Sequence, residues 1–225
     1  MKASTHPRVK ICCISSVAEA WTAIECGAAA LGLVSEMPSG PGVISEDSIA
    51  EIAGTLPPAI GSFLLTCKQN VDAIIDQQRR LRVNTLQLCD RLPAGSHQEL
   101  RRALPGVALV QVVHINGAES VQEAVDVAPG VDAILLDSGN PSLTIKELGG
   151  TGRVHDWNMS ARIRDLVSVP VFLAGGLNGE NVSEAIKSVG PYGVDVCSGV
   201  RTNGNLDETK LAGFFRRCSG NLNPH

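Results

Sequence analysis

Between Val9 and Arg217 one pattern recurs eight times: a short apolar run, a turn rich in glycine, proline or small polar residues, and a stretch of helical length. The apolar runs are Val9 to Cys12, Ala29 to Val34, Ala59 to Leu65, Thr85 to Leu88, Val107 to His114, Val131 to Asp137, Val171 to Ala174 and Gly193 to Cys197. The helical stretches are Val17 to Cys26, Glu46 to about Ala53, Val71 to Leu81, His97 to Ala103, Ala118 to Val127, Trp157 to Val167, Glu180 to Ser188 and one ending near Arg217. Ser15 or Ser16 caps the first helix and Ser45 the second. Strands that are apolar on both faces belong to parallel sheets covered by helices. Eight units without a linker therefore predict one α/β domain over residues 1–225, a (β/α)8 TIM barrel, with flexible tails at 1–7 and 221–225. The competing architecture, an open doubly wound sheet, usually has fewer strands and needs a reversal of strand order.

Composition narrows the partners. A net charge of −4, with 44% hydrophobic and 19% charged residues, leaves no broad basic face for nucleic acid and points to a small-molecule partner. The longest apolar runs break within a few residues and the first ten residues lack a signal-peptide core, so no membrane segment is expected and the location is expected to be cytoplasmic. Seven cysteines without Cys-x-x-Cys pairs suggest reduced thiols rather than a disulfide framework or a zinc site. The five histidines are dispersed, with none at metal-binding spacing, so no metal is expected; His114 reads as a satisfied strand-end residue. Arg79, Arg80 and Arg82 read as a solvated helix face.

The chemistry concentrates at strand ends. In a parallel barrel the loops after the strands form the ligand-binding face. Strand alternation turns Lys10 and Cys12 inward, away from Val9 and Ile11, and likewise turns Asp137 inward and Leu136 outward. A thiol with an ordinary pKa of about 8.5 is only a few per cent ionised at neutral pH, so a base at Cys12 needs a neighbouring cation, which Lys10 supplies. Asp137 closes the run Ala133-Ile134-Leu135-Leu136 and opens a long polar loop to Trp157. Three glycine-bearing strand ends follow: Gly149-Gly150-Thr151-Gly152, Gly175-Gly176 and Ser198-Gly199. Such loops after the last barrel strands favour a phosphorylated ligand, whereas each alone reads as a tight turn.

Lys10-Ile11-Cys12, Leu135-Leu136-Asp137-Ser138, Gly149-Gly150-Thr151-Gly152 with Asp156-Trp157, Leu173-Ala174-Gly175-Gly176-Leu177 with Asn181-Val182, and Gly193 to Val200 form an ordered set. With these motifs the chain resembles the phosphoribosylanthranilate isomerase family of tryptophan biosynthesis over almost its whole length. The resemblance implies an intramolecular oxidoreductase without a cofactor. Its reaction is the Amadori rearrangement of an N-(5-phosphoribosyl) amine to a 1-amino-1-deoxyribulose 5-phosphate. It implies Asp137 as general acid, Cys12 as general base, Lys10, Gln87 and Asp195 as substrate-binding residues, and Gly150, Gly152, Gly175, Gly176, Ser198 and Gly199 as the phosphate site. A monomer or homodimer is expected.

Departures from the family pattern lie in the first half. Cys13 stands where glycine follows the catalytic cysteine. Gly40-Pro41-Gly42 replaces Ser-Pro-Arg, whose arginine receives the anthranilate carboxylate, and Gln87-Leu88-Cys89-Asp90 replaces Gln-Leu-His-Gly. A lost charged hydrogen bond costs about 1.5–3 kcal/mol. Two alternatives follow: a diverged paralogue acting on a different phosphorylated sugar amine, and a non-catalytic phosphosugar-binding barrel.

Overall fold

A computed structural model describes residues 6–220. Eight strands, β1 (Arg8–Ile11), β2 (Ala30–Val34), β3 (Gly61–Thr66), β4 (Thr85–Leu88), β5 (Ala108–His114), β6 (Ala133–Asp137), β7 (Val171–Leu173) and β8 (Gly193–Val196), pair in parallel and in sequence order, and β1 pairs with β8 to close a barrel. The covering helices are α1 (Val17–Glu25), α2 (Glu46–Thr55), α3 (Val71–Leu81), α4 (Ser96–Ala103), α5 (Glu119–Val127), α6 (Trp157–Leu166), α7 (Val182–Val189) and α8 (Glu208–Cys218). The TIM barrel is therefore present and the open sheet is excluded. Of the two candidate caps for α1, Ser16 accepts the Glu19 N–H at 3.2 Å, and Ser45 caps α2.

Element limits differ by at most two residues from those expected. β3 starts at Gly61 rather than Ala59 because Pro57 to Ile60 forms a turn, with Ile60 N–H donating to Pro57 O at 3.0 Å. β1 ends at Ile11, so Cys12 lies just past the strand. The tails expected at 1–7 and 221–225 lie outside the described residues except His6, which is exposed, and Pro7, which is buried. Among the described residues no helix is long and apolar enough to cross a membrane.

Strand alternation divides the apolar side chains into two layers. Ile11, Leu31, Leu64, Leu86, Leu136 and Val194 pack outward against the helices. Cys12, Phe63, Val110, Leu135, Phe172 and Ala174 fill the barrel, where the Phe63 and Phe172 rings meet edge to face at 5.9 Å. Leu135 and Leu136 thus lie on opposite sides of one strand, and the side of Leu135 is the side of Asp137.

One element has little apolar signal. Two short strands, β9 (Arg201–Thr202) and β10 (Asn205–Leu206), form a hairpin between β8 and α8. The turn Asn203-Gly204 has positive φ at both residues, as a two-residue hairpin turn requires. Arg201 anchors the hairpin: its guanidinium grips Glu19 at 2.9 and 3.1 Å and donates to the carbonyls of Cys13 at 2.6 Å and Cys12 at 3.4 Å. Glu19 also accepts the N–H groups of Ser15 and Leu206. Burial would raise the Glu19 pKa, but Arg201 and these N–H groups outweigh it and hold the carboxyl below its ordinary 4.5. A depressed carboxyl stabilises the fold above its unfolded pKa, and that contribution disappears as pH falls through the folded value. Glu19→Gln is therefore expected to lose about 1–2 kcal/mol at pH 7 after allowance for solvent access. Urea unfolding from pH 7 to 3 checks this: the gap between parent and variant should close toward acid.

Candidate active site

A cavity opens at the carboxyl ends of the strands. Cys12, Gln87, Asp137, Asp195, Gly150, Gly152, Gly175, Gly176 and Ser198 all line it. Eight strand ends converge there because the barrel is closed, so residues far apart in sequence face one space.

Cys12 and Asp137 are nearly buried, at 6% and 8% exposure, which leaves them facing the cavity rather than bulk water. Asp137 Oδ1 accepts the N–H of Ser138 at 2.7 Å, which fixes the carboxyl group. Its Oδ2 lies beneath Gly149, where an added Cβ would come within 2.7 Å of it. The loop after β6 is tied down by a 2.7 Å bond between the hydroxyls of Ser138 and Thr151. The Gly149 backbone of this loop therefore lies close over the Asp137 carboxylate.

Lys10 differs from expectation: it is fully buried, does not line the cavity, and forms an ion pair with Asp195 at 2.9 Å. Its Nζ and the Cys12 sulfur both press on Gly32 of β2, since a Cβ there would fall 2.9 and 2.8 Å from them. Burial would push the Lys10 pKa down, but Asp195 and the Cys12 and Cys13 sulfurs raise it above the ordinary value, so it stays cationic. Burial pushes Asp195 up against the opposing pull of Lys10. In this arrangement Lys10 touches Asp195 and lies beside Cys12 without itself lining the cavity. Gln87 contributes a buried amide oxygen without a hydrogen-bond partner.

The glycine loops meet at the other side. Gly175 and Gly176 have φ of +84° and +62°, and Asn181 Nδ2 secures the turn by donating to Gly176 O at 2.9 Å. A Cβ at Gly176 would meet the Arg153 carbonyl carbon at 2.7 Å, so the loops after β6 and β7 touch backbone to backbone. Gly199 does not line the cavity. It lies against Leu177 and Asn178, where a Cβ would collide with the Leu177 carbonyl oxygen.

Two departures in the first half prove to be one. Cys13 has φ +63°, a left-handed conformation that costs a side-chain-bearing residue about 1–2 kcal/mol. Its side chain fills the space beside Gly42, where a Cβ would collide with the Cys13 Cβ. A side chain at 42 and one at 13 are mutually exclusive, so cysteine at 13 goes with glycine at 42. The third departure is softened: Asp90 is buried but pairs with Lys146 at 2.5 Å, so it does not present a bare negative charge. Burial pushes the Cys89 thiol up, which keeps that neighbour neutral.

His114 Nε2 donates to the Cys89 carbonyl, 3.1 Å away, and the residue lies outside the cavity, as a strand-end structural residue would. Arg79, Arg80 and Arg82 are exposed, and Arg80 pairs with Glu46. Lys146, Arg201 and Cys197 did not emerge from the sequence. Only Arg201 had a local signal, the Asn203-Gly204 hairpin turn beside it.

Residues 9–217 match the family model described as N-(5'phosphoribosyl)anthranilate (PRA) isomerase. N-(5'-phosphoribosyl)anthranilate isomerase from Methanothrix thermoacetophila is 37% identical over 213 residues, covering 93% of this chain and 97% of that protein. The crystal structure of phosphoribosyl anthranilate isomerase from Thermotoga maritima superposes with a TM-score of 0.81 at 29% identity, covering 95% of this chain and 99% of the other. A phosphoribosyl anthranilate isomerase crystallised with reduced 1-(o-carboxyphenylamino)-1-deoxyribulose 5-phosphate matches with a TM-score of 0.79 at 27% identity, over 95% and 99% of the two chains.

Proposed function

The chain belongs to the N-(5'-phosphoribosyl)anthranilate isomerase family, and on that premise we propose that it catalyses the Amadori rearrangement of phosphoribosylanthranilate in tryptophan biosynthesis, with Asp137 as general acid and Cys12 as general base. The observation that carries the reading is the joint placement of Cys12 and Asp137 on a cavity whose far side is built from glycine loops. Asp137 protonates the ribose ring oxygen, the ring opens, and an imine forms at C1. Cys12 then removes the C2 proton, and the resulting enamine tautomerises to the ketone. Lys10 holds a positive charge beside Cys12 while Asp195 balances it. The amide of Gln87 is available to a substrate hydroxyl. The loops carrying Gly150, Gly152, Gly175, Gly176 and Ser198 receive the phosphate through backbone N–H groups. The same reading carries a cytoplasmic location and a monomeric or homodimeric state.

The test is turnover of phosphoribosylanthranilate generated in place and followed by loss of its fluorescence. Absence of turnover while ribose 5-phosphate still binds would overturn the substrate and favour a different amine substituent. One observation supports that second reading: among the described residues no lysine or arginine lines the cavity, and Lys146 beside it is held by Asp90.

Gly199→Ala tests the phosphate end. The added methyl must push the loop after β8 away from Leu177, at a cost of about 1–3 kcal/mol for overpacking. Calorimetric titration with ribose 5-phosphate is expected to show roughly tenfold weaker binding, each tenfold being about 1.4 kcal/mol. Unchanged affinity would remove the loop after β8 from the phosphate site.

A further inference from the structure

Two sulfurs at the cavity wall are closer than packing explains. Cys13 Sγ and Cys197 Sγ are 2.6 Å apart, well inside the roughly 3.5–4.0 Å of an ordinary non-bonded contact and about half an ångström beyond a disulfide bond. Cys13 directly follows Cys12, and Cys197 lies between Asp195 and Ser198. Both line the cavity, so a small molecule that enters it reaches them. Nothing in the reaction above uses either thiol.

From this geometry we propose that Cys13 and Cys197 form a modification site, a dithiol that a low-molecular-weight disulfide converts to an intramolecular disulfide. The two cysteines have different roles. Cys197 is the more exposed of the two, whereas Cys13 is buried at 5% exposure. When the pair loses one proton, the charge settles on Cys197, because the Cys13 thiol donates to it and Arg201 lies near, while the hydrogen bonds with Cys12 and Cys197 and burial raise Cys13. Cys197 is therefore the attacking thiolate. Its sulfur bonds to one sulfur of the small disulfide, whose S–S bond breaks, and the other half leaves as a thiolate that takes a proton from water. Cys13 then gives its proton to solvent and attacks the Cys197 sulfur, expelling the second small thiol. Two protein thiols are oxidised, and one small disulfide is reduced to two thiols.

The alternatives within the cluster are poorer. Cys12 and Cys13 are consecutive, with Cα atoms about 3.8 Å apart across a trans peptide, below the usual 4.4–6.8 Å span of a disulfide. Cys89 is buried at 1% exposure and Cys67 donates to the Glu36 carbonyl at 3.2 Å. The proposed bond would join the loops after β1 and β8, the two strands that close the barrel.

The experiment is exposure of the whole protein to excess oxidised glutathione, followed by alkylation of remaining thiols, peptide mapping and intact mass. The expected result is a cross-linked peptide pair carrying Cys13 and Cys197, formed before any other cysteine is consumed, with no glutathione retained on either. In Cys13→Ser the first step should proceed and the second should not, leaving a stable glutathione adduct on Cys197. In Cys197→Ser, Cys13 should stay unmodified. A bridge to Cys12, or alkylated Cys13 and Cys197 in a protein already carrying glutathione on Cys26 or Cys67, would overturn the proposal.

Discussion

Asp137→Asn is expected to lower kcat for phosphoribosylanthranilate by about 10²–10⁴-fold, the usual contribution of a positioned general acid. Asparagine keeps the shape of the side chain and still accepts the Ser138 N–H that fixes the carboxyl group. It cannot deliver a proton to the ring oxygen. The loss should therefore appear in kcat with little change in KM, because an interaction made only as the ring opens contributes to the transition state and not to binding. Cys12→Ser should show a similar split, since a hydroxyl is a far weaker base than a thiol at the same place. Double replacement should cost much less than the product of the two single losses, because acid and base act on one reaction coordinate. Unchanged urea midpoints would show that the variants remain folded. If either single variant turned over like the parent, the acid/base assignment would be wrong even though the family is not in question.

The shared cavity position of Cys12 and Asp137 was readable from the chain because its signal is local and periodic. A strand alternates with a period of two, so knowing that Ile11 and Leu136 face the helices is enough to turn Cys12 and Asp137 inward. Gly176 was readable for a related reason: a glycine pair ending an apolar strand marks backbone that must lie close to something, here the loop after β6. What could not be read were relations between residues of different units. Lys10 was seen to face inward, but its partner Asp195 sits on the last strand and is brought beside it only by barrel closure. Buried between Asp195 and Cys12, the ammonium is a support beneath the site and not part of its surface. Cys13 and Gly42 looked like separate departures, and only their shared space makes them one exchange. Asp90 looked like a repulsive charge until Lys146, from a loop with no apolar pattern, was found beside it. The β9–β10 hairpin was overlooked because its flanking residues, Arg201-Thr202 and Asn205-Leu206, lack the apolar alternation that marks other strands, although its Asn-Gly turn was plain.

Lys10→Met should be the most destabilising single change among the residues considered, by about 3–5 kcal/mol, because it removes one partner of a buried ion pair and leaves the other charged in a dry interior. Lys10 is fully buried and Asp195 is only 7% exposed, at the cavity wall, so water replaces the lost partner only in part. Methionine fits the unbranched stem of lysine along Phe63, whose ring centroid lies 5.3 Å from the ammonium, so a packing defect is not the main cost. The pair itself is a different matter: desolvating two charges consumes most of their attraction, so replacing both by apolar residues of similar volume is often close to neutral. Lys10→Met combined with Asp195→Leu should therefore recover most of the stability that Lys10→Met loses. A double-mutant cycle by urea unfolding reads this directly, with a coupling energy that approaches the single-variant loss. Activity should not return with stability, because the doubly substituted protein has lost the positive charge beside Cys12 and the Asp195 carboxylate on the cavity wall. If instead the double variant were as unstable as the sum of the single ones, the two side chains would be stabilising the barrel through separate contacts, and the account of Lys10 as a charge held in place by Asp195 would fail.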